Sequence, residues 1–474
     1  MASKSKKIVA LILTAMMATA ALAGCGGGKK EPSKSGTTTS QGAGTSTASA
    51  ADTGDDDEEG EIIDITDANT LSVIQEEMKK EAVDGTVTLK VWCASVDLAF
   101  EKTIAQEFSE KFSGNGLTVK VDVRGTIGED AAGGKIIESP EDGADVFNFA
   151  DDQLSSLVEA DDIAAVSGYL KKTVKTNNTS DSVAICTVDD EMYAYPKTSD
   201  NGYFMYYDKR VFKDDEVGEL DKMIEKAKAA GKKVFIDLGN AWYNTGFFFA
   251  AGCKVEYKDS VQTAELGNDN GLKAAKAMCH IAENEGNGYE GTPGTMGDNA
   301  YVKQGFETGE LAAAVIGTWE GPDIKKAIGE ENVGAAKLPT VLMDGKQEQL
   351  HSFGGYKLVG VNKYSKAQFS AHMLAFYLTN TDSQLKRYGT RGLIPTNQKA
   401  IEGEINGKKV KDEPALKAIT DQQPYAHPQG ASVSGKYWAS NVGGFGGEIV
   451  TNKGVMDDAT IMTKLKALEA QMKD

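Results

Sequence analysis

The sequence predicts an α/β fold built as two lobes, and three observations lead there. Segments alternating apolar and polar residues interleave with segments of helical spacing. This interleaving occurs twice, before and after about residue 200. Three of the four tryptophans fall at junctions where a strand or loop gives way to a helix, the place where open α/β folds bind ligands.

In chain order, Lys4, Lys6 and Lys7 precede an apolar, Ala-rich stretch from Ile8 to Leu22. It is shorter than the roughly 20 residues that cross a bilayer as a helix, so residues 1–24 read as an export signal. The stretch Leu22-Ala23-Gly24-Cys25 resembles the lipobox of bacterial lipoproteins, in which the cysteine becomes the first mature residue and its thiol takes the diacylglyceryl group. That resemblance implies lipidation (palmitate) at Cys25 and an extracytoplasmic chain anchored to the cell membrane, since two acyl chains anchor stably where one is marginal. From residue 26 to 54, Gly, Ser and Thr supply 18 of 29 residues, and the acidic run Asp55 to Glu59 follows. With no aromatic or branched aliphatic side chain from residue 26 to 54 to build a core, residues 25–61 read as a lipidated cysteine and a solvated linker.

The folded body begins with a lead helix within 62–85, capped by Thr66 or Asp67, with Leu71, Ile74 and Met78 on one face. Thr86 to Val91 alternates as a strand. Asp97 to Phe112 returns to helical spacing, with Phe100, Ile104, Phe108 and Phe112 on one stripe. Leu117 to Val123 and Ala144 to Phe149 are further strands, and this β-α-β order predicts a mainly parallel sheet. A second set follows: strands Phe204 to Tyr207, Lys233 to Leu238 and Leu311 to Ile316, with a helix near Asn270 to Glu283. Then come a strand Tyr356 to Val361, a helix Ser365 to Leu378 and a terminal helix Asp457 to Met472.

Composition removes several functions. The chain has 51 basic and 70 acidic side chains, a net charge of −19 that becomes −22 once the first 24 residues and their three lysines are removed. Nucleic-acid affinity comes largely from Lys and Arg neutralising phosphates, so no nucleic-acid partner is expected. There is no CxxC, HExxH, GxSxG or GxxxxGK[ST] pattern. No metal, cofactor or catalytic residue is called for. His280, His351, His372 and His427 lack metal-ligand spacing. Cys93, Cys186, Cys253 and Cys279 allow three disulfide connectivities, and their spacing selects none. The run Gly443 to Gly447 is not preceded by a strand, which leaves a loop or a close helix contact rather than a phosphate cradle.

The aromatic residues point elsewhere. Trp319 sits in Ile316-Gly317-Thr318-Trp319-Glu320-Gly321-Pro322, past a strand and before a helix that Pro322 would open. Trp438 and Trp242 also stand at loop-to-helix junctions, while Trp92 reads as packing under the first strand.

Several stretches resemble the extracellular solute-binding proteins of ABC sugar importers, of the maltose/maltodextrin-binding type. They are Leu89-Lys90-Val91-Trp92, Gly143 to Phe147 leading to Phe149-Ala150-Asp151-Asp152, Tyr193-Ala194-Tyr195-Pro196, and Asn201 to Lys209. Phe306 to Trp319, Gly354-Gly355-Tyr356, Gly392 to Asn397 and Tyr437-Trp438 complete the order. The resemblance implies a periplasmic-binding-protein-like fold: two α/β lobes, a multi-segment hinge and a ligand cleft between them. The lobes would comprise 86–200 with 353–402 and 203–350 with 403–474. The chain would cross near Ser199–Gly202, His351–Gly354 and Ile401–Glu404.

By the same resemblance, Trp319 and Trp438 are stacking platforms, with Trp242 or Tyr243 as a third. Phe149 belongs to the site, and Asp152 accepts sugar hydroxyls, with Asp151 competing for that task. Asp200 and Asn201 fall at the hinge, and Asp97 survives from an Asp-Lys pair whose lysine is lost. Gln153 stands where the maltose type has arginine. Chemistry supports the assignment: a pyranose has an apolar face that a ring can cover and a rim of hydroxyls that carboxylates can bind. The expected protein is a monomeric, non-enzymatic carrier that hands oligosaccharide, foremost α-1,4-linked malto-oligosaccharide, to ABC permease subunits. Another oligosaccharide or a non-sugar solute such as a peptide is the alternative. A surface glycoside hydrolase would need a carboxyl pair at defined separation, and no spacing among Asp152, Asp200 and Glu320 selects one.

Overall fold

The computed structural model describes residues 64–258, 261–283 and 298–472. The expected export signal, Cys25 and the linker lie outside the described residues. The lead helix runs Ala68–Lys79, and of its two candidate caps Asp67 serves, accepting from the Thr70 N–H at 2.8 Å. Ile74 and Met78 are buried in the first core. Just beyond, Glu81 accepts from the N–H groups of Phe369 and Ser370 at 2.8 and 2.9 Å, in the first turn of the helix Gln368–Thr379. A carboxylate there satisfies orphan donors and meets the positive end of the helix dipole. The lead segment is thus tied to the first core.

Five strands form the first sheet, in the order Thr118–Arg124, Thr86–Trp92, Val146–Ala150, Lys357–Val361 and Ala194–Thr198. The first two pairings are parallel, as the β-α-β spacing predicts. Both pairings of Lys357–Val361 are antiparallel, so the sheet is mixed rather than mainly parallel. The reason lies in the connection: this strand returns from the other lobe and enters at the cleft end, with Lys357 opposite Ala150 and Thr198. The second sheet orders Val333–Ala336, Phe204–Asp208, Leu311–Ile316 and Lys233–Phe235. Only its last pair is parallel.

Two separate apolar cores follow from these sheets. The first gathers buried residues from Ile74 to Tyr195 and from Leu358 to Leu378. The second gathers residues from Tyr203 to Phe353 and from Ala415 to Met472. The backbone therefore passes between cores after Tyr195, after Phe353 and after Leu378. Two passages are tied together, because the Asn201 N–H donates to the Gly355 carbonyl at 3.2 Å. Cys93, Cys186, Cys253 and Cys279 are buried and free, two in each core, so none of the three pairings forms.

The glycine run is a close helix contact. It lies in the helix Val442–Thr451, and a Cβ at Gly446 would stand 1.7 Å from the Leu238 carbonyl oxygen. Asn244 seals the junction, donating to the carbonyls of Leu238 and Val442 at 2.9 and 3.1 Å. Gly446→Ala must push two backbones apart, and a loss of about 3 kcal/mol is expected in urea unfolding. A stability equal to the wild type would show that the helix and the turn at Leu238 part at no cost.

Candidate functional site

The cleft is built where strand ends of both sheets meet. Val146–Ala150 ends at Asp151 and Asp152, Ala194–Thr198 ends beside Asp200, and Leu311–Ile316 ends at the turn Thr318–Glu320 that carries Trp319. Helix Gly321–Ile328 follows with Pro322 in its first turn. The indole folds back over Gly317, where a Cβ would lie 1.9 Å from the ring. Its Nε1–H donates to Asn299 Oδ1 at 2.9 Å, which sets the ring plane. Trp319 is half-buried.

A second aromatic group stands nearby in chain order to the hinge. Trp242, half-buried at the start of the helix Ala241–Ala250, stacks on Phe353 with ring centroids 5.1 Å apart. Trp438, also half-buried, lies 5.7 Å from Phe353 and 6.5 Å from Trp242. Tyr437 anchors it from below through a 2.7 Å bond between its hydroxyl and Thr245. Tyr243 does not share this surface: it is 2 % exposed and packs edge-on against Tyr203. The helix turns successive residues to different faces, so Trp242 takes the exposed position. Phe149 is also corrected, being fully buried against Phe147 in the first core. Strand alternation around Asn148 sends it inward. Trp92 is 9 % exposed and packs in the first core.

The acidic residues divide by task. Asp200 is 1 % exposed; its Oδ2 accepts from Thr318 Oγ1 at 2.5 Å and from the Ile394 N–H at 3.2 Å, which joins the first crossing to the Trp319 turn. Asn201 is 8 % exposed on the same crossing. Asp152 Oδ2 accepts from Gln429 Nε2 at 2.8 Å across the lobes, and Gly430 packs on the Asp152 backbone so closely that a Cβ would lie 3.0 Å away. Asp151 turns the other way and accepts from the Tyr356 N–H at 3.1 Å. Burial, and then the charge of Asp152, pushes Asp151 up to about 7. Burial likewise pushes Asp152 up to about 7. Asp152 Oδ1, Asp200 Oδ1 and Gln429 Oε1 are buried and accept no hydrogen bond.

Asp97 sits deeper than the resemblance implies. It is 2 % exposed within a cluster of buried charges. Lys197, with a side chain 0 % exposed, contacts Glu129 at 2.9 Å, Glu101 at 3.2 Å and Asp97 at 3.5 Å. Arg391 meets Asp97 at 2.9 Å, Arg387 meets Glu101 at 3.4 Å, and Lys357 meets Glu129 at 3.1 Å. Burial opposes the Asp97 charge, but Lys197, Lys357 and Arg391 outweigh it and hold the carboxyl at about 2. Lys197 is driven up by its three carboxylates despite burial. Asp97 is thus paired with cations from distant segments of the chain. Glu129 and Gln429 fall in no predicted element, whereas Lys357 lies in the expected strand beside the Gly354-Gly355-Tyr356 landmark and Arg391 directly precedes the Gly392 to Asn397 landmark.

A cavity of about 590 Å³ runs along the crossings, lined from both lobes by Asp151, Ile185, Tyr203, Tyr356, Leu416 and Pro428 among others, and by none of the three indoles. The four histidines hold no metal cluster, and none exists among the described residues. His372 bonds Tyr195 and His351 bonds His427. No described helix is long and apolar enough to cross a membrane.

Two lobes, a tied hinge and a cavity lined from both lobes define a class of protein, the two-lobed solute binders. The particular family is shown by its model, which matches residues 103–418: this chain belongs to the bacterial extracellular solute-binding proteins. It is 26 % identical over 298 residues to the galactooligosaccharide-binding protein of Bacillus subtilis (strain 168), covering 60 % of this chain and 67 % of that protein. A solved complex with acarbose is 30 % identical with a TM-score of 0.70, covering 82 % of this chain and 99 % of that one. The maltodextrin binding protein MalE1 from L. casei BL23, solved without ligand, is 26 % identical with a TM-score of 0.65, covering 82 % and 99 %. Such coverage takes in both lobes, so the periplasmic-binding-protein-like architecture applies to the folded body as a whole.

Two predictions follow from these charges. Lys197→Met removes the one cation that Asp97, Glu101 and Glu129 share, and a loss of about 3–5 kcal/mol is expected in denaturant unfolding. A variant as stable as the wild type would remove the cluster's structural role. Asp152 titrates near 7 when folded against an ordinary 3.8, so proton binding favours the folded state. Its contribution is complete below about 3.8 and is lost as pH rises through about 7. Ligand-free Asp152→Asn should therefore gain melting temperature over the wild type at pH 8 more than at pH 5; an equal difference at both would contradict the shift.

Proposed function

We propose that this protein captures an oligosaccharide, foremost a malto-oligosaccharide, in the cleft and delivers it to an ABC permease without chemical change. One observation carries the reading: the second lobe holds three half-buried indoles, and Asp152 and Asp200, each bonded to a residue of that lobe, keep carboxylate oxygens that are buried and accept no hydrogen bond. A buried polar atom without a partner costs about 1–3 kcal/mol, and more when charged. A neutral ligand that offers an apolar face together with many O–H donors meets both needs, and a pyranose chain is such a ligand. The names of the relatives point the same way.

In this reading Trp319, Trp438 and Trp242 cover sugar faces, and Asp152 and Asp200 accept hydroxyl protons. The lobes comprise about 86–200 with 353–402 and 203–350 with 403–474. Contacts such as Asp152 with Gln429 form only when the lobes meet, so ligand that touches both favours the closed form by its differential affinity. Lipid at Cys25, behind a removed leader, would hold the mature chain at the membrane for delivery.

A thermal-shift panel of mono- and oligosaccharides tests this directly, because a ligand that binds only the folded state raises its melting temperature. Maltotriose or a longer homologue is expected to stabilise the body, and Trp319→Ala should weaken its calorimetric affinity more than about tenfold with the fold intact. No shift with any sugar, or release of reducing ends on long incubation with maltoheptaose, would overturn the proposal.

A further inference from the structure

Lys357 opens an interior strand of the first sheet at its cleft end. Its ammonium lies 5.4 Å from the centroid of the Trp319 indole, which belongs to the other lobe. At that range the quadrupole of the ring attracts a cation. Glu129 Oε2 backs the ammonium at 3.1 Å, and Glu129 is itself pinned by Lys197 at 2.9 Å. The Lys357 side chain is 13 % exposed. Burial opposes its charge, while Glu129, Asp200 and Asp97 more than offset burial and keep it protonated.

An ammonium has three N–H donors. Among the described residues, Glu129 is the one carboxylate within ion-pair distance of Lys357. Its other neighbour across the lobes is the Trp319 ring, which takes no hydrogen bond in the plane of its atoms and leaves donors for a ligand. Asp200, electrostatically coupled to Lys357, is hydrogen-bonded to Thr318 beside Trp319 and keeps Oδ1 unpartnered. The Trp319 ring therefore has a donor-only cation 5.4 Å from its centroid, and the residue before it binds an acceptor-only carboxylate, both fixed by buried partners.

We propose that Lys357 is a specificity-determining residue of the cleft: its ammonium donates to an acceptor oxygen on the hydroxyl rim of the sugar unit that covers Trp319. Units lacking an oxygen there stack on the indole but make no bond to the first lobe, so they do not stabilise closure. This inference rests on the oligosaccharide reading above.

The test is calorimetry of the wild type, Lys357→Met and Lys357→Arg with maltotriose and a panel of its monodeoxy derivatives. A charge-assisted bond predicts at least about tenfold weaker binding in Lys357→Met and a smaller loss in Lys357→Arg. One deoxy position should weaken wild-type binding by a similar factor and have no effect in Lys357→Met. Melting curves of the free proteins accompany the titrations, and an unfolded Lys357→Met is replaced by Lys357→Gln. Wild-type affinity in the folded Met or Gln variant, or a deoxy penalty unchanged by it, overturns the assignment of Lys357 alone. Failure of the wild type to bind any sugar overturns the oligosaccharide reading and this inference together.

Discussion

The cluster around Lys197 is the constraint on which the cleft depends. Its partners come from the helix Leu98–Phe112, the turn before it, the loop at Glu129, the strand at Lys357 and the helix Thr381–Arg391. Desolvating so many charges is costly, and a buried ion pair is weak evidence for stability as such. What the cluster supplies is position: each charge is held by others, so the cleft end of the first sheet has one low-energy arrangement. Asp97, held near 2, stays ionised at any physiological pH and keeps that arrangement in force.

From that floor the rest of the site follows. Lys357 is presented to the opposite lobe because Glu129 holds it, and Asp200 links the first crossing to the Trp319 turn. At the other end Asp152 meets Gln429. These contacts span the lobes in two places and differ in kind. The Lys357 end is permanently charged, whereas Asp151 and Asp152 titrate near 7 and carry incompletely bonded oxygens. A cleft that is rigidly ordered at one end and electrostatically unsatisfied at the other is suited to binding, because a ligand then supplies the missing partners.

Much of the fold was legible in the residues. The strand Leu311–Ile316, the helix that starts near Asp269 and the terminal helix have strong local patterns, and the observed ends lie within a few residues of the expected ones. Local periodicity cannot show which way a strand runs once the chain has left the lobe and returned, so the antiparallel entry of Lys357–Val361 was missed. The same limit applies to the site. Adjacent aromatic residues in largely apolar runs such as Ala241–Ala250 and Val146–Ala150 carry no mark of which will be covered, so the burial of Tyr243 and Phe149 is not legible in the sequence.

The sequence by itself determined the two sets of α/β elements, the tryptophans at their junctions, the acidic balance and the family pattern that orders them. These depend on near neighbours along the chain, or on stretches long enough to compare. Tertiary structure alone decided that Asp97 is buried under three cations' influence, that the four cysteines stay apart, that Glu81, just past the lead helix, caps a helix nearly 290 residues away, and that Lys357 lies over Trp319. Those outcomes join segments far apart in the chain, and Coulomb and packing forces act through space without regard to sequence distance.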